Sequence, residues 1–129
     1  AAPRLLALPP SPRRLRYVAW GDSITHGWCG DEPYPELIAR LNGWDAINLG
    51  LHGMTIFDAG RALGGGIAAI QADLFTLMVG ANDCNNSRTA AVGSGTFGPR
   101  MVDLLRTIRL AQPRAVLAVI TPIEYPGCQ

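Results

Sequence analysis

Residues 16–23 have the sequence RYVAWGDS, in which a short β-prone run is followed by a glycine and two polar residues. The run 16–20 predicts a first strand that ends at Gly21. A similar arrangement occurs at 74–80, where the continuous apolar run LFTLMV is followed by Gly80. Such a continuous apolar run is typical of a strand that is buried on both faces of a parallel sheet.

Strand and helix patterns alternate along the rest of the chain. Apolar residues at helical spacing predict helices at 34–41, 55–63 and 97–111, with one more helical turn at 67–71. Short apolar runs predict further strands at 45–49 and 115–120, the latter with the length of a buried strand. The order βαβαβαβ with buried strands predicts an α/β fold, in which a parallel sheet carries helices on both faces.

Polar and glycine residues cluster at the ends of the first three predicted strands. The sequence is GDSIT at 21–25, NLGLHG at 48–53 and GAND at 80–83. Because functional groups in parallel α/β sheets collect at the carboxyl ends of the strands, these segments are expected to form one site.

Ser23, Gly50 and Asn82 are the candidate catalytic residues within these segments. Gly21 permits a sharp exit from the strand, which would expose the Ser23 hydroxyl; a helix N-cap is the alternative role for this serine. The N–H groups of Ser23 and Gly50 and the side-chain amide of Asn82 can donate to one point. Such an arrangement would form an oxyanion hole, whose donors each contribute roughly 3–4 kcal/mol in acyl-transfer enzymes.

The three segments resemble the sequence blocks of the SGNH (GDSL) hydrolase family, in the family's order. GDS at 21–23 resembles the nucleophile block, NxGxxG at 48–53 the second block and GxND at 80–83 the third. The resemblance covers about residues 15–123. It implies a three-layer α/β/α sandwich around a five-stranded, flavodoxin-like parallel sheet, of which this chain would contribute four strands.

By the same resemblance, Ser23 is the nucleophile, and Ser23, Gly50 and Asn82 line the oxyanion hole. The implied activity is that of a serine esterase or deacetylase, with acyl transfer as a variant, and it needs no cofactor and no metal. A carbohydrate O-acetyl ester is the favoured substrate, ahead of a short-chain lipid ester.

The family's general base, carried by an Asp-x-x-His motif, has no counterpart here. The histidines are His26 and His52, and neither follows an aspartate by three residues. A serine hydroxyl without a base is a weak nucleophile. Three explanations stay open: the base lies in a C-terminal remainder of the protein, carried by a second chain or by further residues of the same chain; a histidine of this chain replaces it; or the chain is a non-catalytic binding module. We favour the first, because a sheet that ends at a fourth strand exposes an apolar edge.

Asp22, Trp28 and His52 are the candidate substrate-site residues. Trp28 follows the nucleophile loop and is best placed to contact a substrate, and His52 lies within the second block. Asp22 directly precedes the nucleophile, and neighbouring residues on a turn point apart. We therefore interpret its carboxylate, like that of Asp83, as a group that fixes its loop through hydrogen bonds.

The three cysteines, Cys29, Cys84 and Cys128, fit no metal-binding spacing. Cys29 and Cys84 follow the first and third predicted strands. If those strands are neighbours, as in the family, a disulfide between these two cysteines is possible, and two free thiols are the alternative.

Composition excludes several classes of protein. The 129 residues and 13.8 kDa correspond to one domain. Eleven basic and ten acidic residues give a net charge of +1, which argues against a nucleic acid or an anionic membrane surface as partner. No apolar run approaches the ~20 residues of a membrane span.

The Pro- and Arg-rich residues 1–14 predict a linker or the tail of a preceding segment. This leaves 15–129 as a hydrolase-like domain that is incomplete at its C-terminus.

Overall fold

The computed structural model describes residues 13–28, 30–64, 66–85 and 95–121. Strands and helices alternate along these residues. In chain order they are β1 (Arg16–Gly21), α1 (Ser23–His26), α2 (Tyr34–Asn42), β2 (Asp45–Gly50), α3 (Ile56–Gly64), a 3-10 helix (Ile67–Ala69), β3 (Leu74–Met78), α4 (Ala81–Asn85), α5 (Phe97–Ala111) and β4 (Val116–Val119).

The predicted strands and the three long helices are confirmed, with bounds that differ by one residue or none. The sequence does not predict α1 and α4, because helices of four and five residues are too short to show an apolar periodicity. Both begin directly after strand ends, where the sequence suggests turns. The segments that carry the candidate chemistry are therefore partly helical.

The four strands form one parallel sheet in the order β2-β1-β3-β4. This arrangement confirms the predicted α/β fold. At the carboxyl end of β1, Gly21 lies opposite Gly50 of β2 on one side and Met78 of β3 on the other. The ends of the three strands that precede the candidate segments are therefore side by side.

The two faces of the sheet pack against different helices, as expected for an α/β/α sandwich. On one face, Trp20 and Phe75 pack with residues of α3 and α5, including Leu104. On the other face, Tyr17 packs with Ala39 of α2. Since successive strand residues point to opposite faces, a single strand such as β1 supplies both cores.

β4 is partly exposed although its apolar run has the length of a buried strand, and an exposed edge is what the sequence predicts for a sheet that ends at a fourth strand. Val116 and Val119 are 62% and 45% exposed. The physical reason is position: β4 lies at the edge of the described sheet and pairs there with β3 alone. Beside it runs an apolar groove of about 580 Å³ between β4 and α5, lined by residues such as Leu105, Leu110 and Leu117.

Helix α1 rests on the carboxyl ends of β1 and β2 because two positions there carry no side chain. A Cβ added to Gly50 would lie 2.2 Å from the backbone nitrogen of His26. A Cβ added to Gly21 would lie 2.0 Å from Thr25 Oγ1. Both distances are far below van der Waals contact, so glycine is required at both positions for α1 to sit where it does.

Asn48 ties the same corner together through its side-chain amide. Its Nδ2 donates to the carbonyl oxygen of Thr25 at 2.8 Å and to the carboxylate of Glu36 in α2 at 3.0 Å. Its Oδ1 accepts the N–H of Gly50 at 2.9 Å. One side chain thus joins β2 to both neighbouring helices.

At the opposite end of the strands, near the amino ends of β1, β2 and β3, charged side chains surround a cavity of about 480 Å³. Arg13 forms a salt bridge with Asp73, whose carboxylate also accepts the backbone N–H of Arg16. The last two residues of the predicted 1–14 linker, Arg13 and Arg14, therefore line a cavity of the domain, and residues 1–12 lie outside the described part.

We expect Gly50→Ala to lower the free energy of unfolding by about 2–3 kcal/mol, because the new methyl group meets the backbone of α1, which cannot rotate away. Urea unfolding of the purified protein measures the change. Gly60→Ala is the matched control: Gly60 lies in α3, and a Cβ there has nothing within 4 Å. Alanine at that helical position should raise stability by up to ~1 kcal/mol. Equal stability of Gly50→Ala and the wild type would contradict the close contact.

Candidate active site

Ser23 is the first residue of α1, immediately beyond the end of β1. The N-cap of this helix is Asp22, whose Oδ1 accepts the N–H of Ile24 at 2.9 Å. The Ser23 side chain is half-buried, and no described residue forms a hydrogen bond with its Oγ or accepts its backbone N–H. The serine is therefore not the cap, and both its hydroxyl and its N–H are available at the start of the helix.

Gly50 lies at the end of β2, against α1. Its N–H donates to Asn48 Oδ1 in this structure. The sequence places Gly50 in the second block as an oxyanion donor, and this N–H reaches a ligand only by sharing or exchanging that bond. The contact with α1 is a reason for glycine at this position that does not depend on catalysis.

Asn82 lies in the first turn of α4, just beyond β3. Its Nδ2 donates to the carbonyl oxygen of Met54 at 3.1 Å. An amide nitrogen carries two hydrogens, so this bond fixes the orientation of the side chain and leaves a second N–H available. The described residues offer that second N–H no partner.

Gly50 ends β2, Ser23 follows β1 and Asn82 follows β3, and these three strands are adjacent. The three residues therefore lie at the carboxyl ends of neighbouring strands. The strand order thus brings the three sequence segments together at the carboxyl ends of the strands. What the arrangement can do chemically is present a hydroxyl beside a small group of N–H donors.

Two buried carboxylates lie in the segments that follow β1 and β3. Asp22 is 1% exposed and Asp83 is 2% exposed. Both oxygens of Asp83 accept the N–H of Ile56 at the start of α3, at 3.1 and 3.0 Å. These contacts are those expected of carboxylates that fix loops. At 1% exposure, Asp22 supports the site by positioning α1.

Burial raises the pKa of both carboxyl groups above the ordinary value of 3.8. Backbone hydrogen bonds act in the opposite direction at each residue, and the nearby charges of Asp58 and Asp22 further raise the pKa of Asp83. Asp22 Oδ2 is buried without a hydrogen-bond partner among the described residues. The ionised form of Asp22 is therefore costly in this position.

Three exposed rings lie beside the end of α1. The imidazole rings of His26 and His52 have centroids 4.5 Å apart, and the Trp28 ring meets His52 edge-on at 4.7 Å. Trp28 and His52 are candidate substrate-site residues from the sequence, and the structure brings them together. The sequence does not predict that His26 joins them, because the contact depends on α1 lying across the end of β2.

Neither histidine acts on Ser23 in this structure. Within the part of the chain that is described, no hydrogen bond joins the Ser23 hydroxyl to His26 or His52. A general base must reach the proton that it removes, at about 2.6–3.2 Å. The arrangement gives no support to a substitute base from this chain.

Cys84, in α4, is disulfide-bonded. β1 and β3 are neighbours, which satisfies the condition for a bridge between the loops that follow them. Cys29 and Cys128 lie outside the described residues, so the pairing of Cys29 with Cys84 stays a prediction.

Sequence reasoning misses the structural role of Asn48 and Glu36. Asn48 belongs to the second sequence block, and its spacing of two residues from Gly50 is the pattern of an Asx turn, which is a usable signal. Glu36 gives no such signal, because its partner is distant in sequence.

The described residues hold neither a cluster of metal ligands nor a membrane-spanning helix. No three His, Cys, Asp or Glu side chains in these ranges converge as metal ligands. None of the helices described is both long and apolar enough to cross a membrane.

Comparisons with known proteins agree with this architecture. Among solved structures, the chain is similar to a protein from Desulfitobacterium hafniense described as lipolytic and of the G-D-S-L family, with 20% identity and a TM-score of 0.74 over 89% of this chain and 63% of that one. A carbohydrate acetylesterase family member from Sinorhizobium meliloti matches with 21% identity and a TM-score of 0.63, over 84% and 62%. A family 3 carbohydrate esterase from Clostridium thermocellum matches with 18% identity and a TM-score of 0.62, over 83% and 61%.

At these identities the likeness establishes the fold. The chain spans little more than three fifths of the length of these solved structures. No curated protein sequence matches it.

Fold and site together define an α/β/α protein with a serine presented at the carboxyl edge of a parallel sheet. The sequence model of the GDSL-like lipase/acylhydrolase family matches residues 19–129. The chain belongs to this family.

The raised pKa of Asp22 predicts a specific dependence of stability on pH. Above pH 3.8 the folded state holds this proton more tightly than the unfolded state, so the contribution of Asp22 to stability falls as pH rises through its raised pKa. Asp22→Asn removes this titration and keeps an oxygen for the Ile24 N–H. We expect the stability of the variant relative to the wild type to increase between about pH 4 and pH 7.

Urea unfolding of both proteins across this pH range measures the effect. The slope of the difference is the test, because the buried amide of the variant adds a penalty that does not change with pH. Asp103→Asn is the control, since Asp103 is exposed on α5. A difference between wild type and Asp22→Asn that is constant with pH would contradict the buried, costly carboxylate.

Proposed function

We propose that this chain carries the nucleophile and the oxyanion hole of a serine ester hydrolase. The observation that carries the proposal is the convergence of Ser23, Gly50 and Asn82 at the carboxyl ends of β1, β2 and β3. Membership of the GDSL-like lipase/acylhydrolase family supports the same chemistry.

In the proposed reaction, a general base removes the proton of Ser23 Oγ while this oxygen attacks the ester carbonyl carbon. The carbonyl oxygen becomes an oxyanion in the tetrahedral intermediate. When the intermediate collapses, the bond to the alcohol oxygen breaks and the base returns the proton to the leaving alcohol. Water then cleaves the acyl-enzyme in the same way, and an acceptor hydroxyl in place of water would give acyl transfer.

The oxyanion is proposed to bind the N–H groups of Ser23 and Gly50 and the free N–H of Asn82. Two of these donors are available in the structure as it stands. The third, from Gly50, donates to Asn48 Oδ1 and must share that bond with the oxyanion. Fixed donors of this kind favour the transition state, because they need no reorganisation when the charge develops.

The base is proposed to come from a C-terminal continuation of the same protein, present as further residues or as a second chain. The outer edge of β4, unpaired among the described strands, and the adjoining apolar groove are suited to bind such a segment, since an unpaired apolar edge is normally covered. The greater length of the similar solved structures supports the same occupant.

A binding module without catalysis is the second candidate. The absence of any hydrogen bond to Ser23 Oγ among the described residues favours it, because an activated serine is usually held by its base. Reactivity of the serine separates the two candidates.

We expect a fluorophosphonate probe to label the wild-type protein together with its C-terminal continuation, and we expect Ser23→Ala to abolish labelling. Ester turnover should fall at least about 10³-fold in the variant. Unchanged unfolding by urea would show that the loss is chemical. Retained turnover in Ser23→Ala would reject Ser23 as the nucleophile, and a wild type that resists the probe would favour the binding module.

Asn82→Ala should lower kcat by about 10²–10³-fold with a smaller change in KM, because the amide acts mainly on the oxyanion. Asn42→Ala is the matched control, since Asn42 is exposed at the end of α2 and, among the described residues, donates only to Ile38 O. Steady-state kinetics on a soluble acetyl ester gives both constants. A rise in KM alone would mean that Asn82 binds substrate without stabilising the transition state.

A further inference from the structure

Glu36, in the first turn of α2, is a half-buried carboxylate whose two oxygens face the second sequence block. They accept the side-chain amide of Asn48 at 3.0 and 3.1 Å. No ion pair joins Glu36 to a basic side chain of the described residues, whereas the nearby Glu32 is paired with Arg40. A carboxylate with limited access to water needs compensation, which comes here from the N-terminus of α2 and from Asn48. The proposed ester chemistry gives this carboxylate no role.

Three partners fix the orientation of the Asn48 amide. Its Nδ2 donates to Thr25 O at 2.8 Å and to Glu36, and its Oδ1 accepts the N–H of Gly50 at 2.9 Å. A carboxylate and a carbonyl oxygen only accept, and a backbone N–H only donates, so one of the two amide orientations satisfies all three partners. Glu36 supplies the charge-assisted bond of the three, which is roughly twice as strong as a bond between neutral groups.

The position of α1 depends on this amide. Helix α1 has four residues, too few to be stable without contacts to the rest of the protein. Asp22 caps its start, and near its end the Asn48 amide is the one described group that donates to Thr25 O. The hydroxyl of Thr25 also lies 3.1 Å from that of Tyr34 in α2. Because Ser23 lies in the same helical turn as Thr25, a displacement of Thr25 moves Ser23 as well.

We propose that Glu36 is a positioning residue for the candidate nucleophile. Through the Asn48 amide, its carboxylate holds the end of α1 and keeps Ser23 where its hydroxyl can attack. The link from α2 to α1 is independent of the reaction, and its effect on turnover rests on the proposed function. Attack requires the reacting atoms to be about 3–3.5 Å apart and aligned, so a small shift of the nucleophile slows the reaction.

The first experiment measures turnover of a soluble acetyl ester by the protein with its C-terminal continuation. Glu36→Ala should lower kcat by about 10–100-fold with little change in KM, because the nucleophile is displaced. Glu36→Gln should keep kcat within about threefold of the wild type, since its side-chain oxygen still accepts from Asn48. Glu32→Ala is the matched control: Glu32 lies two residues before α2 and bonds to Arg40, so kcat should not change.

A double-mutant cycle tests the route through Asn48. If Glu36 acts on Ser23 through this amide alone, Glu36→Ala should lower kcat no further in an Asn48→Ala background. Kinetics are measured at a temperature at which urea unfolding shows each variant to be folded. Losses in kcat that multiply in the double variant would overturn the inference. So would a Glu36→Ala protein that is less stable than the wild type but has the same kcat, because the role of Glu36 would then be structural only.

NMR gives a readout that needs no catalysis. In isotope-labelled Glu36→Ala, the side-chain amide resonances of Asn48 and the backbone N–H resonance of Ser23 should shift, and in Glu32→Ala they should not. Such shifts in a protein that turns over no ester would support the positioning by Glu36 and reject the proposed function.

Glu36→Asp decides the question if Glu36→Ala or Asn48→Ala does not fold. Aspartate keeps the charge but is one methylene shorter, so its carboxylate no longer reaches Asn48. We expect Glu36→Asp to lose more kcat than Glu36→Gln and to shift the Ser23 resonance. A Ser23 resonance that stays unmoved in Glu36→Asp, with the kcat of the wild type, would overturn the inference.

Discussion

The contact of α1 with two glycine positions is the constraint on which the site depends. Because Gly50 has no side chain, the backbone of α1 lies directly on the end of β2, and Gly21 leaves room at the end of β1 for the Thr25 side chain. This contact sets where Ser23 begins its helix and where the rings of His26 and His52 meet. Any larger residue at either glycine would displace α1, and with it both Ser23 and the ring of His26.

The loops at the carboxyl ends of the strands are fixed by polar side chains that are buried or half-buried. Asp22 caps α1, Asp83 holds the start of α3, and Asn48 connects β2 to α1 and α2. Burying carboxylates costs free energy, and each one is partly compensated by backbone N–H groups. The buried carboxylates thus lower the stability of the fold in the loops whose positions must be well defined. Such a local loss of stability is common at functional sites.

Sequence patterns predict most of the fold here, because the strands are short apolar runs and α5 has a regular apolar period. They also predict Ser23, Gly50 and Asn82 as one site, since strand ends converge in a parallel sheet. They also predict the exposed apolar edge at β4, because a sheet that ends at a fourth strand leaves that strand unpaired on its outer side. They do not predict the hydrogen bond between Asn48 and Glu36 or the tilted contact between the rings of His26 and His52, because both arise from contacts between separate elements.

The outer edge of β4, which pairs with no other described strand, also bears on how the polypeptide is made. Chains emerge from the ribosome with the N-terminal part first, so β1 to β4 can pair before any later segment is available. During that interval the unpaired edge of β4 can form backbone hydrogen bonds with another nascent copy, and the adjoining apolar groove can bind other exposed apolar segments. Chaperone engagement and the speed of synthesis just beyond β4 would then govern the yield of native protein more strongly than the stability of the finished sheet.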